Sequence, residues 1–147
     1  MVMQGGRASE LVEILLVDDN PTDVMMTKEA LAWHKIVNPL HVAQDGVEAM
    51  EFLQHRSDKL PGLIILDLNL PRKNGREVLQ EIKNDPQLRT IPVVILSTSK
   101  AEEDILKSYG LHANCYITKP VDFNKFIEVV QTINQFWFGV VTLPRIP

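Results

Sequence analysis

At 147 residues the chain suits one domain, long enough to bury a core without disulfide or metal staples. Its 45% apolar and 23% charged content is that of an ordinary globule, and a net charge of −4 argues against a nucleic-acid binder, which would show a basic stripe. No apolar run reaches the roughly 18 residues of a membrane span, and Met1–Glu10 lacks the apolar heart of a signal peptide, so no membrane role and a cytoplasmic location are expected.

The first strand candidate, Val12–Val17 (VEILLV), runs into two acids, Asp18 and Asp19. Asn20 can cap a helix whose first position is Pro21, where the missing N–H is harmless. Met25 and Met26 in this helix read as packing residues. Pro39–Ala43 (PLHVA) is the weakest strand signal and suits a sheet edge, after which Asp45-Gly46 opens a second helix to about His55. Leu63–Asp67 (LIILD) is a continuous apolar run that ends on an acid. Asn74-Gly75 opens a third helix that stops before Pro86. Pro92–Ser97 (PVVILS) leads to Ser97-Thr98, and Ser99-Lys100-Ala101-Glu102 has capping-box spacing for a fourth helix. Asn114–Thr118 (NCYIT) delivers Lys119-Pro120, and Asp122 caps a fifth helix with Phe123, Phe126, Ile127, Val130, Ile133 and Trp137 on its apolar face.

Four of these strands are nearly continuous in apolar or β-branched character, as parallel strands covered on both faces must be. Strict β–α alternation implies right-handed crossovers and one five-stranded parallel sheet between two helical layers. The expected organisation is a tail over residues 1–9, a domain over 10–138 and an extended C-terminal arm over 139–147.

In open parallel sheets ligands bind beyond the carboxyl ends of the strands, so the strand-ending residues carry the information. If the first and third strands are neighbours, Asp18, Asp19 and Asp67 meet within a few ångströms. At ~5 Å and an effective dielectric of ~20, each carboxylate pair repels by about 3 kcal/mol. Lys119 offers one offset and a hard divalent cation a larger one; Mg²⁺ takes carboxylate and carbonyl oxygens and commonly shares its shell with a phosphate. No GxxxxGK[ST] or GxGxxG motif is present to hold a whole nucleotide. Asp67 then reads as a nucleophile that takes a phosphoryl group as an acyl phosphate, with Ser97 able to hydrogen-bond it. Taken singly, each residue has a plainer explanation, since strand-end acids and serines often cap helices and a lone lysine is usually a solvated charge. Their arrival together on one sheet edge is what favours chemistry.

At these residues the sequence resembles the receiver domain of two-component response regulators, the fold of the bacterial chemotaxis receiver. "LLVDDN", "LDLNLP", "ILSTS" and "YITKP" match its active-site segments in order and spacing, over about Glu10 to Trp137. The resemblance implies a flavodoxin-like strand order 2-1-3-4-5. It makes Asp67 the phosphoacceptor, Ser97 the switch hydroxyl, Lys119 the phosphoryl partner and Tyr116 the switch aromatic. Mg²⁺ would be held by Asp19, Asp67 and the backbone carbonyl of Asn69, with Asp18 helping directly or through water. Such a chain is a signalling switch, not an enzyme beyond its own phosphorylation and dephosphorylation.

"DLNLPRKNGREVL", "IPVVILSTS", "LHANCYITKP" and "FWFGVVTLP" further resemble the stand-alone regulators that serve bacterial phytochromes. That likeness implies a phytochrome-type sensor histidine kinase as donor and a downstream protein that no motif identifies. Two departures stand out. Thr98 follows Ser97 where many receivers carry a smaller residue, and the chain continues past the fifth helix through Phe136-Trp137-Phe138 to Pro147. Phe136, Phe138, Val140 and Val141 have no place in a closed sheet, so a homodimer is expected through this arm and the fourth helix, fifth strand and fifth helix.

Competing classes fare worse. A hydrolase acting on external phosphates would want an inserted cap, and a flavodoxin-type binder would not place an acid pair beside its phosphate. His34, His41, His55 and His112 show no metal-ligand spacing and read as surface or core-edge residues. The single cysteine, Cys115, reads as a reduced core residue. Arg72 and Lys73, in the loop after Asp67, read either as a solvated loop or as an attraction for the phosphodonor.

Overall fold

A computed structural model describes residues 13–55 and 59–119, and beyond them Asn124, Ile127 and Glu128. Its elements are β1 (Ile14–Val17), α1 (Pro21–Trp33), β2 (Leu40–Ala43), α2 (Gly46–Gln54), β3 (Leu63–Asp67), α3 (Gly75–Asn84), β4 (Val93–Ser97), α4 (Lys100–Ser108) and β5 (Cys115–Thr118). All strand pairs are parallel and the sheet order is β2-β1-β3-β4-β5, the order expected. β2 is indeed an edge strand.

Two strands begin one residue later than their apolar runs because the runs open on proline. Pro39 and Pro92 have no N–H to give a ladder, but their carbonyls accept from Ile14 N–H at 2.8 Å and Ile64 N–H at 3.0 Å. Asn114 also stands just outside β5. Its N–H donates to the Val93 carbonyl and its Oδ1 accepts the Val93 N–H, both at 2.9 Å, which locks the starts of β4 and β5 together.

The pleat divides the core in two. Leu15, Val17, Ile64, Leu66, Val93 and Ile95 face one helical layer, where α2 contributes Leu53, α3 contributes Leu79 and Ile82, and α4 contributes Leu106. Ile14, Leu16, Leu63, Ile65, Val94 and Leu96 face the other, covered by Leu31 of α1 and by the helical residue Ile127. Asp122 and the remaining stripe of the fifth helix (Phe123, Phe126, Val130, Ile133, Trp137) lie outside the described residues, as do Val12 and both ends of the chain. Ile64, Ile65 and Leu66 are 0% exposed, and burying each contributes roughly 1.5–3 kcal/mol, enough to hold a strand that ends on a buried acid.

Helix starts follow the capping chemistry, with one exchange. Asn20 accepts from Thr22 and Asp23 N–H, and Asp45 from Glu48 N–H. The complete capping box is at α3, where Asn74 and Glu77 accept each other's backbone N–H. At α4 only half forms: Ser99 accepts from Glu102 N–H at 3.4 Å, but Glu102 Oε1 turns to Thr98 N–H at 2.7 Å. Gly46 and Gly75 are needed for close approach. A Cβ at Gly46 would fall 2.0 Å from the Lys73 carbonyl oxygen, and one at Gly75 would fall 2.4 Å from that of Asp67.

Two lesser expectations need correction. Met25 and Met26 are exposed, because α1 packs through Val24, Thr27 and Leu31, an i, i+3, i+7 line that misses both. Cys115 is free but only half-buried, since β5 is the other edge strand. His41 is a half-buried core-edge residue on β2, as expected, and its Nε2 lies 2.6 Å from Oε1 of the buried Glu13. His34, His55 and His112 are exposed.

Candidate functional site

The register brings the informative strand ends level. Val17 of β1 pairs with Leu66 of β3, so the next residues, Asp18 and Asp67, leave neighbouring strands side by side. Ser97 of β4 pairs with Thr118 of β5, immediately before Lys119. Asp18 and Asp67 are 1% exposed, Ser97 is 0% exposed, and Asp19 is open to solvent. One carboxylate oxygen from each of Asp18, Asp19 and Asp67 lies within 4.8 Å of the others.

Several donors hold the acids in place. Asn69 N–H donates to Asp67 Oδ1 at 2.9 Å, and Asn20 N–H donates to Asp18 Oδ1 at 2.9 Å. Lys119 Nζ donates to Asp67 Oδ2 at 2.6 Å and lies 3.5 Å from Asp23. Burial opposes charge on Lys119, but the hydrogen bond to Asp67 and the charges of Asp67, Asp18 and Asp23 outweigh it and raise its pKa, so it stays an ammonium. Burial also dominates at Asp18 and pushes its carboxyl up to about 6, aided by the Asp67 charge and opposed by the Asn20 hydrogen bond. Asp18 Oδ2 is buried with no hydrogen-bond partner among the described residues. A buried, orphaned carboxylate oxygen in an all-oxygen cluster fits a hard divalent cation.

The remaining expected residues lie in the loop after β3, just past β4 and on β5. Asn69 is exposed in the loop after β3, its amide turned onto Asp67. Tyr116 is half-buried; its hydroxyl accepts from Ala113 N–H at 3.1 Å, and Lys107 Nζ lies 5.1 Å from its ring centre. Thr98 is exposed. The loop cations are both engaged, as neither reading of them foresaw. Arg72 donates to Asp45 Oδ2 at 2.8 Å from a residue with φ of 63°, and Lys73 pairs with Glu81. Arg72 thus ties the loop after Asp67 to the cap of α2.

Three contributors escaped the sequence reading. Asp23, an acid in the first turn of α1, drew no reading, and Asp45 was read only as opening a helix. Glu103 carried a faint signal, an acid three residues before the buried Leu106 on the inner line of α4. Its Oε2 accepts from Ser97 Oγ at 3.3 Å and Thr118 Oγ1 at 3.4 Å.

Comparison with known proteins places this geometry. Over 135 residues the chain is 47% identical to response regulator Rcp1 of Synechocystis sp. (strain PCC 6803), covering 89% of this chain and 92% of Rcp1. The crystal structure of the Mn²⁺-bound form of Rcp1 aligns with a TM-score of 0.69 at 46% identity, over 86% of this chain and 94% of that one. The phosphorylated cyanobacterial phytochrome response regulator RcpA gives 0.71 at 46%, over 88% and 96%. The bacteriophytochrome response regulator AtBRR gives 0.74 at 41%, over 85% and 94%. Residues 14–131 match the response regulator receiver domain family, and the chain belongs to it.

Proposed function

We propose that this chain is a phosphoacceptor switch in a phosphorelay, in which Asp67 takes a phosphoryl group from a phytochrome-type sensor histidine kinase. The observation that carries the reading is the Lys119 ammonium 2.6 Å from the buried Asp67 carboxylate, beside two further acids within 4.8 Å. Asp18, Asp19, Asp67 and the Asn69 carbonyl are the proposed Mg²⁺ ligands. When bound, Mg²⁺ neutralises charge on the phosphoryl oxygens.

An Asp67 oxygen attacks phosphorus in line with the P–N bond of the donor phosphohistidine. That bond breaks, its electron pair passes to the imidazole nitrogen, and an acyl phosphate forms on Asp67. Lys119 turns its ammonium to one phosphoryl oxygen and Ser97 donates its hydroxyl to another. Tyr116 gives up its bond to Ala113 N–H and moves into the space that Ser97 leaves. Water later cleaves the acyl phosphate to inorganic phosphate and restores the Asp67 carboxylate. The chain turns over no external substrate in this scheme.

The names of RcpA and AtBRR support a phytochrome kinase as donor, and the phosphorylated state of RcpA supports aspartyl transfer. A downstream protein reads the switched face, and the relay runs in the cytoplasm. Among the described residues no helix is long and apolar enough to cross a membrane. Exposed Ile105 on α4 and Tyr109 at its C-cap support a homodimer through α4, β5, the fifth helix and the arm.

The reading is tested by incubation with acetyl phosphate and Mg²⁺, followed by intact mass. The wild type gains one phosphoryl group and Asp67→Asn gains none while keeping its circular dichroism. Undiminished labelling of Asp67→Asn overturns the assignment. A phytochrome kinase that transfers no faster than unrelated kinases overturns the proposed donor.

A further inference from the structure

Glu103 lies in the first turn of α4 and is 8% exposed. Its Oε2 accepts two hydroxyls from two strand ends, Ser97 Oγ at 3.3 Å and Thr118 Oγ1 at 3.4 Å. Ser97 and Thr118 are register partners across β4 and β5, so one carboxylate oxygen joins both strand ends to the helix. Among the described residues no lysine or arginine pairs with Glu103. A buried carboxylate whose partners are hydroxyls depends on each of them, because an unmet acceptor there loses its solvation as well as its bond. Packing alone would favour an apolar side chain at this position, one turn before Leu106.

A serine hydroxyl carries one proton to donate. Ser97 can give it to Glu103 or to a phosphoryl oxygen on Asp67, but not to both. We infer that Glu103 is a positioning residue for Ser97: its carboxylate holds the hydroxyl proton on the α4 side, competes with the phosphoryl group for it, and couples its departure to the first turn of α4. This rests on the reading of Ser97 as a donor to the phosphoryl group. With Ser97 withdrawn, Glu103 keeps only Thr118, and the α4 turn is left under-satisfied next to the face that carries Ile105 and Tyr109. Glu103 therefore opposes activation in the resting protein and is the link through which activation reaches α4.

The test is titration with beryllofluoride, an inert phosphoryl mimic, in Mg²⁺, followed by amide NMR shifts in full-length protein. Glu103→Gln keeps the shape but weakens the competing bond, so beryllofluoride binds about three- to tenfold more tightly. Thr118→Val, at an exposed site, leaves Ser97 as the last hydroxyl on Glu103, and binding weakens. Ser97→Ala also weakens binding, and in that background Glu103→Gln has no further effect. A generic packing role would weaken binding in both the Glu103 and Thr118 variants and would persist without Ser97. Unchanged or weakened binding by Glu103→Gln beside a weakened Ser97→Ala overturns this inference alone. Should Glu103→Gln not fold, Thr118→Val decides: unchanged or tighter binding overturns the competition. Unchanged binding by Ser97→Ala overturns the role of Ser97, and this inference with it.

Discussion

Lys119 and Asp67 form a charge-assisted pair of 2.6 Å in which the acid is 1% exposed and the lysine 22%. The pair sets an ammonium against a carboxylate inside the protein, and the partly open lysine has room to turn toward an arriving phosphoryl group. Lys119→Met should slow Mg²⁺-dependent labelling by at least about tenfold, a loss typical of removing one preorganised donor. Without metal it should also lower stability by about 1–3 kcal/mol, less than for a fully buried pair because water screens the lysine. Intact mass over time and urea unfolding in chelator measure the two effects.

Asp18 supplies the pH dependence. Burial, before any other cause, raises its carboxyl from 3.8 to about 6. Between those values the folded state binds more protons than the unfolded state, so stability from this group is present at low pH and lost as pH rises toward 6. About two pKa units correspond to about 3 kcal/mol. In chelator, Asp18→Asn should therefore match wild type near pH 4 and exceed it progressively up to neutrality. With Mg²⁺ the order should reverse, since the proposed metal site draws on the ionised acid. An equal response of both proteins to pH would remove Asp18 from this account.

Asp19 is the solvent-exposed member of the acid cluster, so Asp19→Ala can be read without a folding defect. Mg²⁺ affinity should fall about tenfold or more, the scale of losing even an indirect support of a metal site. NMR shifts around Asp18 report it. Unchanged affinity would refute the proposed ligand set.

Gly75 tests how tightly the site is braced. Its missing Cβ leaves room for the Asp67 carbonyl, at 2.4 Å from where that carbon would sit, and for Leu68 Cα at 2.6 Å. Gly75→Ala should cost about 1–3 kcal/mol by overpacking. It should slow labelling as well, because the atoms that must yield are the backbone of Asp67, the proposed phosphoacceptor, and of its neighbour Leu68. Urea unfolding with wild-type stability would show that the loop has slack.

The α4 face and the C-terminal arm carry the expectation of a homodimer. Truncation after Gly139 and, separately, Ile105→Ser should weaken self-association without unfolding the domain. Light scattering at micromolar concentration measures it, with and without beryllofluoride. A wild type that stays monomeric in both conditions would end the proposal.

Much of the site was legible because parallel strands advertise themselves. A run such as Leu63–Leu66, apolar on both faces, has one reading, and the acid at its end is then conspicuous. The same logic exposed Asp18, Ser97 and Lys119. It could not expose Glu103, Asp23 or the Arg72–Asp45 tie, whose partners are far apart in sequence or disguised as helix-cap residues. Arg72 and Asp45 are separated by 27 positions, and neither has a local pattern that points to the other. Met25 and Met26 went wrong for a related reason: α1 buries only a narrow line, so apolar character alone did not say which side faces the sheet.

The sequence by itself determined the alternation of strands and helices, the places where helices start, and which side chain ends each strand, because periodicity, proline and capping chemistry act over a few residues. Only the tertiary structure decided that Val17 stands level with Leu66, and that the hydroxyls of Ser97 and Thr118 converge on one oxygen of Glu103. Register is set by how distant apolar surfaces fit together across two helical layers, a competition of packing that leaves no local mark on the chain.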